Sequence, residues 1–375
     1  MLSVKELNGL YIGLMSGTSM DGIDAVIVEL NDNNCLVKKN HNISYPHKVR
    51  SLLLSSSRNW ESTTSEKIEM LDRKVGECFR EATTTLLKKS KIKHSNIIAI
   101  GSHGQTIRHQ PRIKNPYSLQ IGNPQIIANG TQIKTIADFR RNDIDAGGQG
   151  APLTPSFHKW FFSDKKYDRV ILNIGGFSNI TILSKSQKRV RGFDTGPGNS
   201  LMDSWIQEKR KLPFDMNGEY AKNGEIIPEL FDKLSKDPYF SSPPPKSTGF
   251  EYFNLAWLKN HIGNTVFKNA DIQATLLNLT VSTIKQSILS SAPNTKQVIV
   301  CGGGVHNSYL MTQISDSLHP IIVKKSDDFG LSPDYMEAVA FAWLAKQKLE
   351  GIPANIPSVT GANRKVILGK EFLPE

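Results

Sequence analysis

Leu10-Tyr11-Ile12-Gly13-Leu14-Met15-Ser16-Gly17-Thr18-Ser19-Met20-Asp21-Gly22-Ile23-Asp24-Ala25-Val26-Ile27-Val28 lies near the start of the chain. Its pattern returns at Arg169-Val170-Ile171-Leu172-Asn173-Ile174-Gly175-Gly176-Phe177-Ser178-Asn179-Ile180-Thr181-Ile182-Leu183. Each stretch is an apolar run, a glycine-bearing turn and a second apolar run, which predicts a β-hairpin in both places. Gly17 and Gly176 are the matching turn glycines. A second pair follows, because Ile97-Ile98-Ala99-Ile100-Gly101 and Val298-Ile299-Val300-Cys301-Gly302 both read as buried strands ending in glycine, with Gly101 matched to Gly302. Each comes after a long helical pattern. Residues 63–91 place Ile68, Leu71, Val75, Phe79, Ala82 and Leu86 on one face behind a capping box from Thr63 to Glu66, and the later helix carries Ile272, Leu276, Ile284 and Ile288. Two versions of one α/β unit are expected, and a chain of 375 residues is long for a single core.

The first turn, Gly17, Thr18, Ser19, Met20, Asp21 and Gly22 running into Ile23 and Asp24, offers backbone N–H groups and small hydroxyls. That inventory holds phosphate, although a plain hairpin turn has the same composition. Asp21 and Asp24 are the carboxylates available to a hydrated Mg2+, an ion that keeps much of its water. Gly302, Gly303 and Gly304, just ahead of a helix starting near Asn307, would let a flat base or ribose lie on the backbone. The duplicated hairpins suggest two lobes clamping one nucleotide. Neither G-x-x-x-x-G-K-[ST] nor G-x-G-x-x-G occurs, which argues against P-loop and Rossmann folds.

Chemistry-bearing residues cluster at strand ends. In Arg191-Gly192-Phe193-Asp194-Thr195-Gly196-Pro197-Gly198-Asn199, Asp194 leaves an apolar strand into a rigid Gly/Pro loop, and it is the candidate catalytic base. A turn aspartate is the competing reading. His103 ends a buried strand in Ser102-His103-Gly104-Gln105-Thr106, and Arg140 closes Ala137-Asp138-Phe139-Arg140 with a planar fork suited to carboxylate or phosphate. Glu337 falls in the first turn of a last major helix opened by Ser332 and Pro333, where an acid also suits the helix dipole. The Gly/Pro cluster from Gly147 to Pro155 suits an interdomain crossing. The expected lobes are therefore 1–140 and 141–345, with 346–375 packing back on the first. Pro243-Pro244-Pro245-Lys246-Ser247-Thr248 reads as an exposed rigid loop lining a cleft or an interface.

The net charge of +11 comes from short basic groups such as Lys88-Lys89, Lys165-Lys166 and Lys209-Arg210-Lys211 without interleaved aromatics. That pattern is a solvated surface and not a nucleic-acid track. No apolar run approaches the roughly 18 residues of a membrane span. Cys35, Cys78 and Cys301 show no metal-ligand spacing and suit free thiols in a reducing compartment. The start of the chain reads as a first strand and not a signal peptide, so a cytoplasmic protein is expected.

Taken together, Gly13 to Asp24, Ser102 to Thr106, Ala137 to Arg140, Gly150-Ala151-Pro152-Leu153, Gly192 to Asn199, Cys301 to Gly304 and Glu337-Ala338-Val339-Ala340-Phe341-Ala342 resemble the anhydro-N-acetylmuramic acid kinases. The resemblance runs from about residue 10 to residue 362. It implies an α/β, two-lobed actin-like sugar kinase fold of duplicated ribonuclease-H-like domains around a central nucleotide and substrate cleft. It further implies ATP and Mg2+ as cofactors, a small amino sugar as substrate and a homodimer. By the resemblance, Asp194 and Glu337 are catalytic, while Arg140, His103, Gly104 and Gln105 bind substrate. ATP would lie on Gly17 to Asp24, on Gly175, Gly176 and Asn179, and on Gly302, Gly303 and Gly304. The implied reaction opens 1,6-anhydro-N-acetylmuramic acid, released in cell-wall recycling, to N-acetylmuramic acid 6-phosphate. Two other readings stay open at this point: an ordinary sugar kinase of the same fold, and a nucleotide-switched actin-like binding protein.

Overall fold

The computed structural model describes residues 7–17, 19–111, 113–185, 189–244 and 246–375, so Thr18 and Pro245 lie outside the described residues. The apolar runs form strands, which in chain order are β1 (Gly9–Ser16), β2 (Gly22–Leu30), β3 (Cys35–Ser44), β4 (Ile97–Gln110), β5 (Tyr117–Ile121), β6 (Thr135–Ala137), β7 (Arg169–Ile174), β8 (Phe177–Leu183), β9 (Val190–Pro197), β10 (Gln297–Cys301), β11 (Ile322–Lys325) and β12 (Lys370–Phe372). The chain divides into one unit of Met1–Phe161 with Tyr335–Glu375 and another of Phe162–Asp334. Residues 141–161 and 335–345, assigned above to the second lobe, thus belong to the first unit, together with the rest of helix Met336–Leu349. The helix packs on β1 and β4 there.

The first unit carries a sheet in the order β12-β6-β4-β1-β2-β3, with β5 added to β4. β1, β2 and β3 are antiparallel neighbours, whereas β4 runs parallel to both β1 and β6. Tyr11 to Ser16 are all buried, as expected of a strand covered on both faces. Ile12 and Leu14 pack with Leu71, Val75 and Phe79 of helix Ser65–Ser90. Gly13 lies between them and so faces the other way. On that side helix Met336–Leu349 comes so close that a Cβ at Gly13 would fall 1.8 Å from the Ala338 carbonyl oxygen, and one at Gly101 would fall 2.0 Å from that of Phe341. The helix is apolar nearly all round, from Ala338 to Ala345, because it is buried nearly all round.

Two helix starts differ from expectation. Thr64, one residue past the expected cap, accepts from the Lys67 N–H and caps helix Ser65–Ser90. Ser332 and Pro333 precede the last major helix instead of opening it, and the Pro333 carbonyl accepts from the Gly302 N–H at 3.1 Å. The end of the chain is fastened to the first unit by β12, which pairs antiparallel with β6. It is fastened again by the buried Asp143 carboxylate, which accepts from Asn355 Nδ2 (2.7 Å), Thr360 Oγ1 (2.8 Å) and the Gly150 N–H (2.8 Å).

The second unit repeats the plan. Its sheet runs β11-β10-β7-β8-β9, with β7, β8 and β9 antiparallel and β7, β10 and β11 parallel. Helix Asn269–Ser291 links β9 to β10 as Ser65–Ser90 links β3 to β4. The order β9-β8-β7-β10-β11 therefore matches β3-β2-β1-β4-β6, which is the duplicated ribonuclease-H-like topology. One expected equivalence fails. Gly101 lies inside β4, paired with Gly13 and Ile136, whereas Gly302 follows β10 with φ +83°.

Candidate functional site

His103 and Arg140 meet in the first unit. The His103 ring is 4% exposed and lies against Phe341, with ring centroids 4.6 Å apart. Its Nδ1 is 2.9 Å from the Gly104 carbonyl, and its Nε2 is 2.8 Å from Nη2 and 3.2 Å from Nε of Arg140. A guanidinium only donates, so Nε2 accepts and the ring proton sits on Nδ1, donating to Gly104. Burial, reinforced by the Arg140 charge, pushes the imidazole well below its ordinary pKa and keeps it neutral. Arg140 Nη1 donates to the Gly150 carbonyl at 3.1 Å. Burial lowers Arg140 to about 10 while Glu337 opposes the shift, which leaves the guanidinium charged near neutrality.

Glu337 stands in the first turn of its helix and senses both Arg140 and Asp24. Burial raises its pKa, Arg140 opposes and Asp24 adds to the rise. A buried cation beside a carboxyl that takes up a proton readily is suited to holding a polar, anionic substrate.

The neighbouring motif residues have other tasks. Gln105, expected on substrate, is fully buried; its Oε1 accepts from Ser16 Oγ (2.7 Å) and its Nε2 donates to the Gly17 carbonyl (3.1 Å). It therefore fixes the entry to the first hairpin turn. Gly104 has φ +75°, and a Cβ there would lie 2.7 Å from the Ile121 carbonyl oxygen, so it admits β5 alongside. In the turn itself Met20 is buried in the core and Ile23 is fully buried on β2, so only their backbones could face a ligand. Gly17 and Ser19 remain open to one; nothing but the Ser19 hydroxyl comes within 4 Å of a Cβ at Gly17. A Cβ at Gly22 would lie 2.5 Å from the Ile43 carbonyl oxygen, a packing requirement.

In the second unit Asp194 lies within β9, opposite Asn179 of β8. Three hydrogen bonds from one segment hold it. Its N–H donates to the Lys246 carbonyl (3.1 Å), its carbonyl accepts from the Tyr239 hydroxyl (2.8 Å), and its Oδ2 accepts from the Thr248 N–H (3.0 Å). Burial pushes the carboxyl up to about 6, opposed by the Thr248 hydrogen bond and assisted by the Glu251 charge. A carboxylate with that basicity suits a general base near neutrality. Tyr239, Lys246, Thr248 and Glu251 were not singled out as site residues from the sequence. The only signal was the Pro-rich run ending at Thr248.

The second hairpin turn docks on the loop that follows Asp194. The Gly176 carbonyl accepts from the N–H groups of Gly198 and Ser200, and the Gly175 carbonyl from that of Asn199, each at 2.9 Å. A Cβ at Gly198 would sit 2.4 Å from the Gly175 oxygen. Of the three glycines after β10, Gly302 and Gly304 are pressed against Asn173 and Ile174, and Gly303 faces open space. Among the described residues no group of three or more His, Cys, Asp or Glu side chains forms a metal centre, and no helix is long and apolar enough to cross a membrane.

The family model for anhydro-N-acetylmuramic acid kinase matches residues 9–374. The chain belongs to this family. An anhydro-N-acetylmuramic acid kinase of Xylella fastidiosa (strain Temecula1 / ATCC 700964) is 45% identical over 363 residues, covering 96% of this chain and 95% of that protein. Proteins of the same name from Aliivibrio fischeri (strain ATCC 700601 / ES114), 46% identical over 360 residues, and Coxiella burnetii (strain Dugway 5J108-111), 44% identical over 366, each span 98% of their own length. The shares of this chain are 96% and 97%. Membership of the anhydro-N-acetylmuramic acid kinase family makes this protein a kinase.

Proposed function

We propose that this protein uses ATP and water to open the 1,6-anhydro ring of 1,6-anhydro-N-acetylmuramic acid and to phosphorylate O6, giving N-acetylmuramic acid 6-phosphate and ADP. The observation that carries the reading is Asp194, a carboxylate tied at three points and poised near 6. Opening the internal acetal needs a base for the water that attacks C1 and an electrophile that captures O6 as it leaves. A glycosidase supplies the electrophile as a proton from a second carboxylic acid. Here the γ-phosphoryl group of ATP takes that place, so one carboxylate suffices.

In this reading Asp194 takes the water proton, Arg140 binds the lactyl carboxylate of the sugar through its planar fork, and Glu337 orients a sugar hydroxyl or the water. Gly17, Ser19 and the Gly175-Gly176 turn approach the phosphates, while Gly303 offers its flat backbone to the adenosine. Magnesium, when bound, would neutralise phosphate charge. Asp21 does not suit it, because its exposed carboxylate is paired with Arg50 and Asp24 is held apart on Asn42, whose Nδ2 donates to Asp24 Oδ1 at 2.7 Å. Asp24 fits as an outer partner acting through water, as Mg2+ sites of few carboxylates do.

The test is the reaction in 18O-labelled water followed by mass measurement of the product. One labelled oxygen at the anomeric position is expected. An unlabelled phosphorylated product would instead identify an ordinary sugar kinase, and ATP hydrolysis unaffected by the anhydro-sugar would identify a nucleotide switch.

A further inference from the structure

We propose that His103 is a positioning residue that acts through Arg140: its neutral Nε2 fixes the guanidinium in the orientation that grips the substrate carboxylate. The inference rests on the function proposed above. A free arginine side chain loses much rotamer entropy when it binds, and fixing it beforehand removes that cost from the binding step. Two anchors do so here. His103 Nε2 takes the Nε–H and one Nη2–H, and the Gly150 carbonyl takes one Nη1–H. Two of the five guanidinium protons are left for an anion, the number a bidentate carboxylate uses.

Both anchors are themselves immobilised. His103 is carried inside β4, its Nδ1–H is spent on the Gly104 carbonyl and its ring leans on Phe341. Gly150 is held by Asp143, whose Oδ2 accepts the Gly150 N–H at 2.8 Å and whose carbonyl accepts from Gly148 at 2.8 Å. Gly150 has φ +69°, and a Cβ there would meet Ile144 Cγ1 at 2.8 Å, so that loop has little freedom to shift. With both ring nitrogens occupied, His103 has no donor or acceptor left for the sugar, and the direct contact expected from the sequence gives way to an indirect one. An imidazolium could not do this work, because it has no lone pair for Arg140 and carries the same charge.

Sugar and ATP kinetics of His103→Phe, His103→Gln, Arg140→Lys and the His103→Phe/Arg140→Lys double variant test the proposal. His103→Phe, which keeps the ring packing and loses the acceptor, is expected to raise KM for the anhydro-sugar by about ten- to a hundredfold with KM for ATP unchanged. His103→Gln, with an amide oxygen to offer, is expected to recover most of the loss. The double variant should cost little more than Arg140→Lys alone, because both changes break one unit. Full additivity, or an unchanged sugar KM in His103→Phe, overturns the proposal. Should a variant fail to fold, 15N NMR of the wild-type protein decides instead. A His103 that keeps the Nδ1–H form from pH 5 to 9 supports the proposal, and one that protonates near its ordinary pKa overturns it. Absence of any turnover of the anhydro-sugar by the wild-type enzyme would remove the proposed function while leaving that nitrogen signature intact, so the two failures are distinguishable.

Discussion

The Thr248 N–H donates to Oδ2 of Asp194 at 3.0 Å, across 54 positions of sequence, and leaves Oδ1 outside that bond. One oxygen is thereby assigned to the protein, and in the reaction proposed above the other is the one left for the proton of water. Replacing Asp194 by Asn keeps the shape and removes the basicity. Asp194→Asn is expected to lower kcat by about 10²- to 10⁴-fold with a native melting curve. A folded variant turning over at wild-type rate would contradict the role given to Asp194.

The pKa of Asp194, raised by burial to about 6, is expected to set an acid limit on the proposed reaction. A base works only when deprotonated, so kcat/KM should hold above pH 6 and fall roughly tenfold per pH unit well below it. The exposed Glu251 helps to raise that pKa, and Glu251→Gln removes its negative charge. The acid limb should then move to lower pH. A limb that stays put or moves upward in a pH–rate profile would separate Glu251 from Asp194.

Tyr239→Phe deletes one hydroxyl, the one donating to the Asp194 carbonyl. Loss of a partly buried hydrogen bond costs about 0.5–1.5 kcal/mol in stability. Because it also loosens the backbone under the base, kcat should fall while KM for sugar and ATP stays near wild type. Denaturant melts together with steady-state kinetics read both effects.

Gly13→Ala adds a methyl group where the Ala338 carbonyl oxygen already stands 1.8 Å away. Overpacking of this kind costs about 1–3 kcal/mol. A drop in melting temperature of several degrees is expected, with larger losses at both Gly13 and Gly101 together. An unaltered melting curve in Gly13→Ala would mean that helix Met336–Leu349 does not sit against β1.

The hairpins, the two amphipathic helices and their repetition were legible because each is a local pattern of apolar spacing. Asp194, His103, Arg140 and Glu337 were legible as residue types at strand ends or in a helix turn. What could not be read is which partner each would find. Gly13, Gly101, Gly104, Gly198, Gly302 and Gly304 are required by neighbours pressed against them, and in the motifs they are indistinguishable from Gly17 or Gly303, which face open space. The partners that Gln105 finds in Ser16 and Gly17 come from the β1–β4 pairing, which no local pattern announces. Thr248 acts through its backbone N–H, so its side-chain identity carries no message about Asp194. The start of helix Met336–Leu349 was misplaced because Ser332-Pro333 has the composition of a helix start, yet its backbone is used by Gly302.

The pairing of β12 with β6 and the bonds from Asp143 to Asn355 and Thr360 have a consequence during synthesis. A ribosome releases the chain from its N-terminus, and residues 162–334 have all emerged while the first sheet still lacks helix Met336–Leu349 and its last strand. Until that helix arrives, the groove at Gly13 and Gly101 is bare of the surface it is shaped to receive. The unit of residues 162–334 is thus able to close its core before the unit whose sequence it interrupts, which waits for helix Met336–Leu349 and β12.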